Sequence, residues 1–152
     1  MDLFFERALH LKEKLKVVLW QFPPGFKINL DRLAKFMKLL GNYPVRNTLE
    51  FRNETWLSKE TTDLCKESKV GLCMADWPEF LDDLPVTSDF VYIRRHGQGG
   101  SYATSYSKTA LRKDARRLKN YMKDGKDVFI YFNNDFHAYA PGNARELTEM
   151  LG

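Results

Sequence analysis

The spacing of apolar residues changes repeatedly along the chain and predicts helices and strands in alternation. Apolar residues at helical spacing predict five helices, over residues 2–15, 30–40, 61–68, 107–124 and 143–151. Short apolar runs between them predict buried strands over residues 17–22, 45–52, 70–75, 90–95 and 127–133. A segment rich in acidic residues and proline, residues 76–88, joins the third and fourth strands irregularly.

Strands that alternate with helices predict a parallel sheet, either doubly wound or closed as a (β/α) barrel. No glycine-rich dinucleotide fingerprint follows an early strand, which weakens the doubly wound alternative. A complete barrel needs eight strands and ~250 residues, whereas this chain has 152 residues. We therefore predict one α/β domain over residues 1–152, an incomplete TIM-type (β/α) barrel of about five parallel strands with flanking helices. Its open sheet edges predict a homo-oligomer or a missing N-terminal segment.

Composition narrows the class of protein but identifies no cofactor. The chain is 43% hydrophobic and 29% charged, as in globular proteins, and its net charge of +4 is modest. It has no apolar run long enough to cross a membrane and no signal-peptide pattern, so we expect a cytoplasmic protein with no membrane partner. Cys65 and Cys73 fit buried free thiols. The three histidines are too scattered for a metal site, and we expect none.

Polar residues concentrate at the carboxyl ends of the predicted strands. Because strand side chains alternate between faces, Glu50 and Arg52 share one face, and so do Arg94 and His96. Parallel strands bring these ends together at one rim, where barrels and open α/β sheets place their ligand sites. The predicted rim residues, one set per strand, are Gln21, Glu50 with Arg52, Asp76, Arg94 with His96, and Asn133 with Asn134.

Several short motifs follow one another along the chain: Trp20-Gln21-Phe22-Pro23-Pro24, Glu50-Phe51-Arg52 with Trp56, Asp76, Tyr92-Ile93-Arg94 with His96-Gly97, and Tyr131-Phe132-Asn133-Asn134 with Ala140 and Asn143-Ala144. Their order and spacing resemble those of the YecE-like family, also called domain of unknown function 72. The resemblance implies the C-terminal portion of a TIM-related barrel. Asn53 stands where the family pattern leads us to expect a histidine, and the family's N-terminal Gly-Ser-Gly-Trp strand is absent.

We expect the rim to bind or transform a small polar or anionic ligand, sugar-like or phosphate-like. Glu50 is the candidate general acid or base, His96 the second proton carrier and Asp76 a third candidate catalytic residue. The candidate ligand-binding residues are Gln21, Arg52, Arg94, Gly97, Asn133 and Asn134. The arginines would hold a carboxylate or phosphate, and the glycines after Gly97 would let backbone N–H groups approach an anion.

Two other interpretations stay open. Basic residues of the 107–124 helix fall on one face and could bind nucleic acid, with aromatic residues of the 102–106 loop stacking on bases. These basic residues are Arg112, Arg116, Lys119 and Lys123. The chain could instead be a truncated gene product without activity of its own.

Overall fold

The computed structural model describes residues 1–152 and contains five α-helices and five strands in the predicted order. The helices are α1 (Asp2–Ala8), α2 (Leu30–Leu40), α3 (Lys59–Glu67), α4 (Lys108–Lys123) and α5 (Tyr139–Leu151). The strands are β1 (Val17–Phe22), β2 (Arg46–Phe51), β3 (Gly71–Ala75), β4 (Phe90–Arg95) and β5 (Asp127–Phe132). Asn29 caps α2, because its side chain accepts a hydrogen bond from the backbone N–H of Arg32.

All five strands are parallel, and each is paired with its neighbours in sequence in the order β1-β2-β3-β4-β5. This order is that of a barrel wall and excludes a doubly wound sheet, in which the order reverses. Adjacent strands lie about 4.8 Å apart, so β1 and β4 would be about 14 Å apart in a flat sheet. Instead, Arg94 on β4 donates a hydrogen bond to Gln21 on β1 at 3.0 Å. The sheet is therefore curled into a half-barrel, which confirms the predicted fold class.

The convex face of the half-barrel packs against the helices and carries most of the core. Two buried clusters lie there, one under α2 and α3 and the other under α4 and α5. The concave face is smaller and is apolar along its floor, where Cys73, Phe90 and Tyr92 contact Leu19 and Phe129. Side chains of β5 alternate between the two faces, since its even-numbered apolar residues pack under the helices while Phe129 faces inward.

Opposite the predicted rim, Arg46 at the start of β2 also fastens the curl. Its guanidinium contacts Asp89 at 2.8 Å and Asp127 at 2.6 Å, and it lies 5.5 Å from the centre of the Phe90 ring. Asp127 begins β5, which is three strand positions from β2. Ion pairs of Arg46 thus hold the end of the half-barrel that lies opposite the rim.

The first predicted helix was too long. Helix α1 ends at Ala8, and a 3-10 segment over Leu9–Lys14 follows, interrupted at Lys12 where φ is +49°. Of its predicted apolar stripe, Leu3 and Leu11 are more than half exposed. The segment after Ala8 buries no side chain, so no packing against the core stabilises a longer α-helix there. The last helix instead begins earlier than predicted, at Tyr139, because Pro141 is tolerated in a first turn.

Three further features of the structure can be compared with the sequence predictions. Cys65 and Cys73 are both free and buried, as predicted. None of the helices combines the length and the apolar character that a membrane crossing requires. The link between β3 and β4 contains a 3-10 turn at Glu79–Leu81 and no α-helix.

The open edges of β1 and β5, together with the exposed apolar side chains of α1, generate a prediction about association. Strand edges and apolar patches are sites of pairing with another chain. We expect light scattering to give a mass above the 17.8 kDa of one chain. The double change Leu3→Glu and Leu11→Glu should return the mass to that of a monomer, whereas Met122→Glu on α4 should not. A wild-type monomer at every concentration would contradict the prediction.

Candidate functional site

Glu50 lies at the centre of the predicted rim and is completely buried. Its Oε1 accepts a hydrogen bond from Nε of Arg52 at 2.6 Å, and its Oε2 accepts one from Nη1 of Arg94 at 2.7 Å. Strand alternation explains the first pair, because Glu50 and Arg52 share the concave face of β2. Curling of the sheet explains the second, because β4 bends towards β2 across β3. One carboxylate therefore orients two guanidinium groups.

Arg94 also fixes two amide side chains at the rim. Its Nε donates to Oδ1 of Asn133 at 3.1 Å, and its Nη1 donates to Oε1 of Gln21 at 3.0 Å. A guanidinium has no acceptor, so the atoms that it contacts must be the amide oxygens. The NH2 groups of Gln21 and Asn133 therefore donate no hydrogen bond within the protein. The structure thus brings Gln21, Glu50, Arg52, Arg94 and Asn133 together, as the sequence predicted.

His96 lies behind Arg52 and is completely buried. Nη2 of Arg52 approaches Nε2 of His96 at 3.2 Å, so Nε2 is the acceptor and the proton of the neutral ring lies on Nδ1. Nδ1 is 3.4 Å from Oδ1 of Asp76 but makes no hydrogen bond. The ring also packs edge-on against Tyr102. These contacts place His96 as a support for Arg52 rather than as an exposed proton carrier.

Asp76 at the end of β3 is engaged by two donors. Its Oδ1 accepts the backbone N–H of His96 at 2.8 Å, and its Oδ2 accepts the hydroxyl of Tyr106. Burial acts to raise the pKa of Asp76, but the hydrogen bonds from His96 and Tyr106 outweigh it and lower the pKa overall. The carboxylate therefore stays ionised and fastens the loop after β4 to the end of β3.

In the glycine loop after His96, the first two backbone N–H groups are bonded within the protein. The N–H of Gly97 donates to the Tyr106 hydroxyl, and the N–H of Gln98 donates to Oγ1 of Thr104. Gly97 and Gly100 have φ of +86° and +68°, and a Cβ on Gly100 would lie 2.3 Å from the Trp77 ring. The glycines are needed for this tight turn. An anion contact in this loop stays a prediction, and it would have to use donors other than the N–H of Gly97.

Asn134 also differs from its predicted role of orienting a ligand. It is completely buried, and its Nδ2 donates to the carbonyl of Thr104 and to Oδ1 of Asn143, both at 2.8 Å. Asn143 also accepts from the backbone N–H of Tyr106 at 3.2 Å. Sequence reasoning missed the part played by Tyr106 and Asn143. Their only signal was the position of Asn143 in a family motif, since neither belongs to a strand end.

A buried thiol lies beside Glu50, and the chain has no cluster of metal-ligating side chains. Cys73 lies 3.7 Å from Oε2 of Glu50, and burial together with that negative charge raises the pKa of its thiol. Nowhere in the chain do three or more His, Cys, Asp or Glu side chains gather at metal-binding distance.

The four predicted basic residues of α4 are exposed, and none forms an ion pair: Arg112, Arg116, Lys119 and Lys123.

The lowered pKa of Asp76 generates a prediction about acid stability. A carboxyl whose pKa is lower in the folded state stabilises the fold above its unfolded value, near 3.8, and this contribution is lost as pH falls through the folded value. Asp76→Asn should reduce the free energy of unfolding by about 1–3 kcal/mol near neutral pH, because one donor loses its acceptor. The loss should shrink at acid pH.

Urea unfolding at several pH values measures this effect. Asp83→Asn is the matched control, because the Asp83 side chain is 97% exposed. Equal losses for Asp76→Asn at neutral and acid pH would contradict the assignment of Asp76 as an ionised anchor.

Comparison with known proteins identifies the family and the fold. UPF0759 protein YunF of Bacillus subtilis (strain 168) is 28% identical over an alignment of 166 residues, which covers 91% of this chain and 58% of that protein. The crystal structure of a DUF72 family protein from Thermotoga maritima MSB8 is 26% identical and has a TM-score of 0.84, with 99% of this chain and 64% of that chain covered. A DUF72 family protein of Enterococcus faecalis V583, at 20% identity, shares the fold with a TM-score of 0.81, over 97% of this chain and 63% of that chain.

The chain spans 58–64% of the length of these relatives. The profile of the family described as "Protein of unknown function DUF72" matches residues 1–152. The family resemblance inferred from the rim motifs is therefore confirmed, and the chain belongs to the DUF72 family.

Proposed function

We propose that the rim of the half-barrel binds a small ligand bearing a phosphate or carboxylate group, with Arg52 and Arg94 as its anion contacts. The observation that carries the proposal is that both amide side chains bonded to Arg94 keep their donor groups free. Gln21 and Asn133 both use their amide oxygens on Arg94, which leaves their NH2 groups for a ligand. A surface made of donors selects a ligand rich in acceptors.

Arg94 itself has a donor to spare. Nη2 of Arg94 has no hydrogen-bond partner in the protein and is not buried without one, and Arg52 has the Tyr102 hydroxyl close by in addition to Glu50 and His96. Both side chains are 16% exposed, so they are held in place while still reaching solvent. Because Glu50 already fixes both guanidinium groups, less conformational entropy is lost when an anion binds to them.

The charge of this group also favours an anion. Glu50 carries one negative charge against the two positive charges of Arg52 and Arg94. The group of Glu50, Arg52 and Arg94 therefore carries one positive charge at a partly buried position, where screening by solvent is weaker than at the surface. The ionised carboxylate of Asp76 lies nearby and reduces this excess, but it forms no ion pair with either arginine.

These contacts support binding more than turnover. A general base needs a free oxygen or nitrogen within reach of the proton that it removes. Both oxygens of Glu50 are bonded to arginines, both oxygens of Asp76 accept hydrogen bonds, and Nε2 of His96 faces Arg52. We assign Glu50, Asp76 and His96 to the framework that holds the arginines.

Asn133→Asp tests the donor surface without disturbing Glu50. The aspartate can keep the contact with Nε of Arg94, but it replaces the free NH2 by a negatively charged oxygen. A charged hydrogen bond contributes about 1.5–3 kcal/mol, so affinity for inorganic phosphate should fall at least about tenfold. Titration with inorganic phosphate at constant ionic strength, followed by NMR of the arginine Nε–H signals, measures the change.

Asn120→Asp is the matched control, because Asn120 is exposed on α4 and far from the strand ends in sequence. It adds the same charge and should bind phosphate as the wild type does. The proposal fails if Asn133→Asp is folded and binds phosphate with unchanged affinity.

Nucleic-acid binding by α4 is a second candidate function. Its support is the exposure of four basic side chains without ion-pair partners on one helix face. The neighbouring loop adds little to this candidate, because Tyr106 is bonded to Asp76 and Tyr102 packs on His96.

Salt dependence separates this candidate from anion binding at the rim. Binding to a DNA or RNA oligonucleotide should weaken steeply as salt rises, with a slope that reflects the number of phosphates contacted. Charge reversal by Arg116→Glu and Lys119→Glu should abolish it, and Asn133→Asp should leave it unchanged. Binding that tolerates the charge reversal would exclude α4 as the interface.

A further inference from the structure

A cavity lies on the convex side of the half-barrel, behind the rim. It has a volume of about 210 Å3 and lies between the ends of β1 and β2 and the first turns of α2. Six of its seven lining residues are apolar, and five of those are aromatic: Phe22, Phe26, Phe36, Phe51 and Trp56, with Leu33 as the sixth. The seventh is Arg32.

The aromatic walls of this pocket are held by specific contacts. Nε1 of Trp56 donates to the carbonyl of Phe26 at 2.7 Å, which fixes the indole plane. Phe51 stacks on Trp56 with ring centres 4.4 Å apart and an angle of 11° between the planes. Phe26 stacks on Trp56 at 5.7 Å and 14°, and Phe22 stacks on Phe51 at 5.1 Å. Nearly parallel rings such as these favour a flat guest.

The volume of the pocket matches a single ring with a substituent. An apolar protein cavity of about 150 Å3 stays dry and binds benzene. A pocket of about 210 Å3 is larger than that, and its lining offers a water molecule few polar partners. An aromatic ring would gain the contacts that the walls lack when the pocket is empty.

Arg32 supplies the polar part of the site. Its side chain is exposed and makes no ion pair or hydrogen bond within the protein. It belongs to the first turn of α2, where the partial positive charge of the helix also favours an anion. A cation at an apolar pocket is suited to a ligand with an apolar ring and an anionic substituent.

We propose that this pocket binds a small aromatic carboxylate, with its ring between the Phe36 and Trp56 walls and its carboxylate on Arg32. The site is separate from the rim, because Phe51 points to the convex face of β2 whereas Glu50 and Arg52 point to the concave face. Binding here does not depend on the anion site proposed above.

Benzoate and benzyl alcohol are the probes, since they share the ring and differ in charge. The indole Nε1–H signal of Trp56, one of three tryptophans, reports on the pocket by NMR. Both probes should shift it saturably, and benzoate should bind tighter by up to about fivefold, because an ion pair at an exposed site contributes up to about 1 kcal/mol. Arg32→Gln should remove that difference, while Lys38→Gln on the same helix should not.

Leu33→Phe is the second variant, because it should fill the pocket and abolish binding of both probes. If this variant does not fold, nuclear Overhauser contacts between the benzoate ring and Trp56 in the wild type decide the question. Asn133→Asp should leave benzoate binding intact, so failure of the rim site and failure of the pocket are distinguishable. Absence of a saturable Trp56 shift would overturn the proposal, and so would equal affinities of the two probes in the wild type.

Discussion

The half-barrel depends on one buried carboxylate, that of Glu50. Transferring an ionised side chain from water to a protein interior costs several kcal/mol, unless opposite charges and hydrogen bonds compensate. Glu50 is completely buried, and each of its oxygens is bonded to a different arginine. Because Arg94 comes from β4 and Arg52 follows β2, the compensation is available only when the sheet is curled. The charge of Glu50 and the curvature of the sheet therefore require each other.

The opposite end of the sheet repeats this arrangement with the charges reversed. There one arginine, Arg46, bridges two carboxylates, Asp89 and Asp127, and these pairs are more exposed than those of Glu50. Exposed pairs contribute less to stability because water screens them. The apolar floor between the two ends, with Phe90 and Tyr92 at its centre, adds the packing. Curvature is thus fixed by a strong constraint at the rim, a weaker one at the other end, and burial between them.

The sequence predicted the strands, their order and the rim residues because those features depend on local patterns. Alternation along a strand decides which residues share a face, so Glu50 with Arg52, and Phe129 opposite Ile130, could be assigned without coordinates. The direction of each hydrogen bond could not, because it depends on partners distant in the chain. Arg94 and Gln21 are 73 residues apart, and only their contact shows that Gln21 presents its NH2 group. The same limit explains Gly97, whose N–H is occupied by a tyrosine nine residues later.

The end of β2 serves both faces of the sheet at once. Glu50 and Arg52 lie at the rim, while Phe51 between them forms part of the aromatic wall and stacks on Trp56. A strand end cannot shift by a fraction of an ångström on one face without moving the other, since the residues share one backbone. A guest in the aromatic pocket would therefore restrain Phe51, and through it the position of the Arg52 guanidinium. Coupling between two sites needs such a shared rigid element and does not require a path of separate contacts. In this half-barrel the end of β2, together with Arg52 directly after it, is the element that both sites share.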